Sequence, residues 1–368
     1  MCRCGDLFMN SNKKKSLEHY KGCLVGGAVG DALGAPLEFM SSTEIISKYN
    51  FDDSLSYVEF GSEYGEFTDD TQMTLFSGEA VLRSIHRAVS KGLWGAINQI
   101  AFESYQRWLF TQGYKNDIRL DGWLVYEKFL YRRRAPGNTC LAALSAGIQG
   151  GLDVSINFSK GCGGVMRVAP AGLVFSDQPY HAFENGAILA ACTHSHPTGY
   201  LTAGYFSALI ALVNKGESLG DSSLEALDIL NKHNDSEETA IFVKKAMEMA
   251  NTEEPTAESI KTIGEGWVAE EALAIALYCS LAYADDFRKG VGVSVLHDGD
   301  SDSTGSITGN ILGFINGYDS IPEDWRKGLC GVDIVLSMAE DLYVEYEVDK
   351  NHPLGFSTDD WNDKYPAG

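Results

Sequence analysis

The stretch LEHYKGCLVGGAVGDALGAPLEF, residues 17–39, sets the first constraint on what this chain can become. It reads as one helix lined with Gly and Ala and stopped near Pro36. Glycine inside a helix costs about 1 kcal/mol relative to alanine. A helix that carries so many of them gains something from having no side chains there. Small residues let another backbone approach closely, which places this helix at the centre of a bundle. The glycines at 26, 27, 30 and 34 also invite a dinucleotide-binding reading. No β-branched strand precedes them, and an isolated glycine pattern is weak evidence, so that reading is set aside.

The rest of the chain has the same grammar. DTQMTLFSGEAVLRSIHRAV places Met73, Leu75, Phe76, Ala80, Val81 and Leu82 at nearly helical period. FENGAILAACTHSHPTGYLTAGYFSALIALVNKG supplies two helices broken around Pro197. VAEEALAIALYCSLAYADDF and STGSITGNILGFINGY are helical as well. Strand-like runs are few, with SLSYVEF and GVSVLH the best short candidates. We therefore expect an all-α fold, a single compact bundle of a dozen or more helices. Without a fixed repeat or a long linker, the expected organisation is an N-terminal extension, residues 1–18, and one catalytic domain, residues 19–368.

Composition then narrows the function. Hydrophobic residues make up 44% of the 368, enough for a sizeable core. A net charge of −22 argues against nucleic acid, whose phosphates demand a basic face. The eight cysteines lack paired zinc-type spacing and read as buried free thiols in a reducing compartment. The leading lysines follow the first apolar residues, unlike a signal peptide, and no run reaches the roughly 18–20 apolar residues of a membrane span. The expectation is a cytoplasmic protein without a membrane partner.

Two segments carry the chemistry. In FTDDTQM, Thr68 is a natural N-cap and Asp69 and Asp70 fall in the first helical turn. Acids there are often only caps. In DGDSDST, Asp300, Asp302 and Ser303 can aim three oxygens at one point, ahead of a helix of small residues. An EF-hand is excluded, because its twelfth position would be Ile311 where a bidentate Glu is needed. If the two segments meet, four carboxylates share one cavity, and such a charge density demands protons or cations. Divalent ions answer this economically, and all-oxygen donors suit Mg²⁺ or Mn²⁺ better than Zn²⁺.

These residues resemble the ADP-ribosylglycohydrolase family, in the family's order from about Tyr20 to Leu329. GGAVGDALGAPLEFM is similar to its opening helix, which begins near Leu17, and FTDDTQM to its first metal motif. GNTC at 137–140, GCGGVMR at 161–167, THSHP at 193–197, GEGWVAEEAL from Gly264 and DGDSDST complete the resemblance. It is strongest toward the dinitrogenase-reductase-activating and arginine-specific branch. The resemblance implies a cleft with two Mg²⁺ or Mn²⁺ ions held by Thr68, Asp69, Asp70, Asp300, Asp302 and Ser303. It implies a catalytic carboxylate among Glu38, Asp69 and Asp70. Gly161, Cys162, Gly163, Gly164, Val165 and Met166 would offer backbone donors to diphosphate and ribose, and His194 would contact the ligand.

Two departures stand out. Ala135, in RRRAPGNTC, replaces an Asp that the arginine-specific relatives use for the guanidinium, so another residue must meet it or the site is open there. Asp298 replaces the first glycine of the last metal motif and adds a charge beside the metals. Arg132, Arg133 and Arg134 read as a solvated face, and the acidic, aromatic C-terminus as surface packing with a frayed end.

The expected activity is hydrolysis of the N-glycosidic bond between ADP-ribose and arginine on a modified protein. The resemblance extends to members that protect bacteria from ADP-ribosylating toxins; the N-terminal extension reads as a plain tail, as a start at Met9, or as a segment whose Leu7, Phe8 and Met9 plug such a transferase. Serine-linked ADP-ribose as substrate and a non-catalytic transferase inhibitor are the alternatives.

Overall fold

The computed structural model describes residues 15–49, 55–60, 63–349, 351 and 356–368. Among them lie seventeen α-helices and one two-stranded ribbon. The first part of the chain forms α1 (Leu17–Gly34), α2 (Ser42–Tyr49), β1 (Glu59–Phe60), β2 (Glu63–Tyr64), α3 (Asp69–Lys91), α4 (Ile97–Thr111) and α5 (Asn138–Ser145). The middle forms α6 (Ala169–Val174), α7 (Pro179–Ala191), α8 (Pro197–Asn214), α9 (Leu219–Leu230), α10 (Glu237–Thr252) and α11 (Ala257–Ile263). The last part forms α12 (Ala269–Ala282), α13 (Phe287–Ser294), α14 (Ser301–Asn316), α15 (Glu323–Gly328), α16 (Val332–Val344) and α17 (Asp359–Lys364). The all-α expectation holds.

The organising contact is α1 against α14. Gly22 faces Gly313, Gly26 faces Gly309, Gly30 faces Gly305 and Gly34 faces Ser301, so the two helices run antiparallel. Any Cβ along this seam would fall closer than 3.0 Å to the opposite backbone. That is why the sequence accepts the propensity cost of glycine here. Asn310 adds a polar lock, donating through Nδ2 to the Cys23 carbonyl at 2.8 Å. Helices α3, α6, α12, α13 and α16 surround this pair, and the α7–α8 hairpin packs outside α6. No helix among the described residues is long and apolar enough to cross a membrane.

Three expectations are corrected. GVSVLH is not a strand; its first three residues close α13, which Asp286 starts by accepting from the Lys289 N–H. A buried helix tolerates the valines that suggested a strand, and the cap decides the outcome. The C-terminus is not frayed, because Tyr365 is fully buried and its carbonyl meets His86 Nδ1 at 2.5 Å on α3. Of the three arginines, Arg132 and Arg133 are exposed as expected, whereas Arg134 is buried and paired with buried Glu66 at 3.3 Å. SLSYVEF keeps only Glu59 and Phe60 as strand. Residues 1–14 of the expected extension lie outside the described residues; Lys15 donates to the Ile315 carbonyl at 3.0 Å, and Leu17 and Glu18 belong to α1.

Candidate active site

Three helix ends converge in one region. The C-terminal part of α1 brings Asp31 and, in the turn beyond it, Glu38. The start of α3 brings Thr68, Asp69 and Asp70, and the start of α14 brings Asp300, Asp302 and Ser303. Because α1 and α14 are antiparallel, the end of one lies beside the beginning of the other. The glycine seam therefore fixes the separation of the two acidic segments. Two helix N-termini directed at one cluster also favour negative charge there.

Each side chain has a definite place. Thr68 caps α3, and its Oγ1 donates to Asp302 Oδ2 at 3.4 Å, which joins the two sequence motifs. Asp300 caps α14 by accepting from Ser303 N at 3.2 Å, and Asp302 Oδ1 accepts from the same N–H at 3.0 Å. Asp69 Oδ2 accepts from Gly137 N at 3.2 Å, so the GNTC loop reaches the cluster. The Asp69 N–H itself donates to the Arg134 carbonyl at 3.1 Å. Asp70 Oδ1 is buried with no hydrogen-bond partner.

Asp31 was missed at the sequence level. It is fully buried and accepts from Thr68 N at 2.9 Å, Thr71 N at 3.0 Å and Thr71 Oγ1 at 2.6 Å. It thus holds the first turn of α3 against α1. The available signal was a single carboxylate within the run of small apolar residues from Gly22 to Ala35.

The electrostatics are those of crowded, buried acids. Burial, followed by the charge of Asp302, pushes Asp31 up to about 7 and Glu38 up to about 9. Asp70 and Asp300 rise well above the usual carboxylate range for the same two reasons. Asp69 rises too, through burial, with the Gly137 N–H opposing. Asp298 behaves differently. It accepts from Ser42 N at 2.6 Å and pairs with Lys261 at 3.1 Å, contacts that hold it down at about 2. Its charge is committed to those partners and is not a free addition to the cluster.

The donor chemistry fits a hard divalent cation. It is all carboxylate and hydroxyl oxygen, it includes an orphaned buried oxygen on Asp70, and its repulsion asks for positive charge. Among the described residues, no three His, Cys, Asp or Glu side chains are already drawn around a single point.

The glycine-rich loop forms the neighbouring wall. Cys162 donates through Sγ to Asp300 Oδ2 at 2.7 Å. Gly161 N–H is held by Ser159 Oγ, Cys162 N–H by the Trp267 carbonyl, and the Val165 and Met166 N–H groups by the Cys162 carbonyl. The loop donors that could meet an anion are then those of Gly163 and Gly164. His194 lies under this loop, 1% exposed, against Gly161, Gly163 and Gly164. Its Nδ1 meets Thr193 Oγ1 at 2.8 Å, and Arg167 Nη2 donates to the same hydroxyl at 2.7 Å.

Burial, and secondarily the Arg167 charge, push His194 down to about 3. An unfolded imidazole titrates near 6.5. Above that pH the residue is neutral in both states; below it, only the unfolded chain takes the proton. The native state therefore loses stability as pH falls from about 6.5 toward 3, by roughly 3 kcal/mol at pH 4 from this group alone. His194→Gln should flatten that part of the acid limb in denaturant melts across pH. An unchanged slope would mean that the native ring accepts the proton.

Comparison with known proteins shows the family. The ADP-ribosylglycohydrolase sequence profile matches residues 12–352. Human ADP-ribosylhydrolase ARH3 is 26% identical, over 89% of this chain and 94% of its own. ADP-ribosylarginine hydrolase Tri1 of Serratia proteamaculans is 23% identical, over 90% of this chain and 80% of its own. The ADP-ribosyl-[dinitrogen reductase] glycohydrolase of Rhodospirillum rubrum is 23% identical, over 84% of this chain and 89% of its own. A solved ADP-ribosylglycohydrolase-related protein complex shares the fold, with a TM-score of 0.57 and 21% identity over 90% of this chain and 99% of that one. With its profile matched along most of its length, the chain belongs to the ADP-ribosylglycohydrolase family.

Proposed function

We propose that this glycohydrolase releases ADP-ribose from arginine side chains of modified proteins. The observation that carries the reading is the joining of the α1, α3 and α14 ends into one buried acidic cluster beside a glycine-rich loop. Thr68, Asp69, Asp70, Asp300, Asp302 and Ser303 would hold two Mg²⁺ or Mn²⁺ ions. Bound there, the ions would supply Lewis-acid polarisation and orientation of the distal ribose.

The chain's own residues do the rest. The loop at 161–166 would receive the diphosphate through the Gly163 and Gly164 N–H groups, and His194 supports the loop from beneath. A carboxylate, Glu38 or one of Asp69 and Asp70, takes a proton from the attacking water as positive charge develops on the sugar. Water adds at C1″, and the electron pair of the C–N bond stays on the leaving nitrogen. A guanidinium substrate therefore departs as neutral guanidine, and no acid is needed to protonate it.

Arginine is favoured over serine as the linkage because Glu38, part-exposed beside the cluster, offers a carboxylate to a guanidinium and gains nothing from a serine oxygen. The names of the Serratia and Rhodospirillum relatives point the same way. At Ala135 the backbone is left-handed, with φ 46°, and its methyl offers the guanidinium nothing. Glu38, in the turn after α1, is the carboxylate proposed to meet the guanidinium instead. On matched peptides, release from the arginine linkage should exceed release from the serine linkage by at least about tenfold. Equal rates, or faster serine release, would move the protein to the serine-linked reading. A role as an immunity protein, with residues 1–18 plugging a transferase toxin, rests on the family resemblance alone, and residues 1–14 lie outside the described residues.

A further inference from the structure

Phe39 follows Glu38 and breaks two ordinary rules. It has φ 67°, a left-handed conformation unusual for a bulky residue, and its side chain is 77% exposed. Neither burial nor turn geometry accounts for a phenylalanine in that position. Its ring stacks on Trp267, with centroids 5.1 Å apart and planes 23° from parallel. Trp267 is itself tied to the glycine-rich loop: its carbonyl accepts from Cys162 N at 3.2 Å, and the next residue, Val268, bridges to Gly161. The other edge of the same turn is anchored at Ser42, whose N–H meets Asp298 Oδ1 at 2.6 Å.

The geometry points to Phe39 and Trp267 as a positioning pair that spans the cleft. The stack joins the turn carrying Glu38 to the loop that receives the diphosphate, so it sets the carboxylate relative to the bound nucleotide. The left-handed backbone at Phe39 turns the ring toward Trp267. Strain of this kind collects at functional sites, where the surrounding structure holds it in place. This inference rests on the ADP-ribosyl hydrolase reading and adds to it two residues outside the acidic motifs.

The test uses the full chain with Phe39→Ala, Phe39→Gly, Phe39→Tyr, Trp267→Ala and the Phe39→Ala/Trp267→Ala double variant. ADP-ribose affinity by calorimetry, kcat/KM on arginine-linked substrate and the melting temperature are read for each. Phe39→Ala and Trp267→Ala should each lower affinity and kcat/KM by about tenfold, and the double variant should lose scarcely more than either single. Phe39→Tyr should keep wild-type values, because its ring can make the same stack. Phe39→Gly should lose function like Phe39→Ala while its melting temperature stays level or rises, since glycine relieves the left-handed strain. A ring with only a structural role would give a lower melting temperature in the glycine variant. That result, additive losses or wild-type affinity in both alanine variants would overturn the pair. Failure of the wild-type protein to bind ADP-ribose at all would instead overturn the reading beneath it.

Discussion

Asp302→Ala should abolish hydrolysis, with a loss of at least about a thousandfold, while the metal-free protein should melt no earlier than wild type. The two halves of this expectation have one cause. Asp302 contributes to the upward shift of every other acid in the site, namely Asp31, Glu38, Asp69, Asp70 and Asp300. It also accepts the Thr68 hydroxyl that joins α3 to α14. Removing it takes one charge from a crowded, buried set, which relieves the metal-free fold, and removes one of the carboxylates proposed to hold the cations. A site kept for function at the expense of stability behaves this way. Asp302→Asn is the gentler companion, because an amide oxygen can still accept from Ser303 N. Calorimetric Mg²⁺ titration and thermal melts read both halves. Unchanged Mg²⁺ binding together with unchanged activity would remove Asp302 from the site.

The second large effect lies away from the chemistry. Gly309→Ala adds a single methyl, yet its Cβ would press into the Gly26 backbone across the seam. The gain in helix propensity is about 1 kcal/mol, whereas overpacking against backbone costs about 3 kcal/mol or more, because backbone cannot rotate aside. The net loss is about 2 kcal/mol, a fall of several degrees in melting temperature for a domain of this size. Activity should fall with it in the native protein, because forcing α1 and α14 apart separates Asp31 and Glu38 from Asp300 and Asp302. Gly305→Ala, one turn nearer the acids and facing Gly30, should affect activity more strongly. Melts paired with activity at a temperature where the variant remains folded check both claims. A stabilised Gly309→Ala would show that the seam has slack.

How much of this was legible in the sequence depends on the kind of signal. The run of small residues before Pro36 announced a close-packed central helix, because glycine in a helix needs a reason. It did not say which partner would face it, since a lone stripe carries no register; Gly305, Gly309 and Gly313 became its counterpart only in three dimensions. The acidic motifs were legible as caps able to share a centre, and the Thr68–Asp302 hydrogen bond joins them. Asp31 was not, because one acid within a run of small apolar residues has no spacing to read. Arg134 was misread because burial depends on a distant partner, here Glu66. GVSVLH was misread because its valines fit a buried helix as well as a strand, and only the cap at Asp286 decides. Phe39 carried no motif at all; its meaning lies in a backbone angle and a stacking partner more than two hundred residues away.

The most direct measurement of the central claim is release of ADP-ribose from arginine-, serine- and glutamate-modified proteins, each with Mg²⁺ and after chelation. The expected result is rapid release from arginine in Mg²⁺, at least about tenfold slower release from the other two, and loss of release on chelation with recovery when Mg²⁺ returns. Absence of release from every linkage, or undiminished release after chelation, would contradict it.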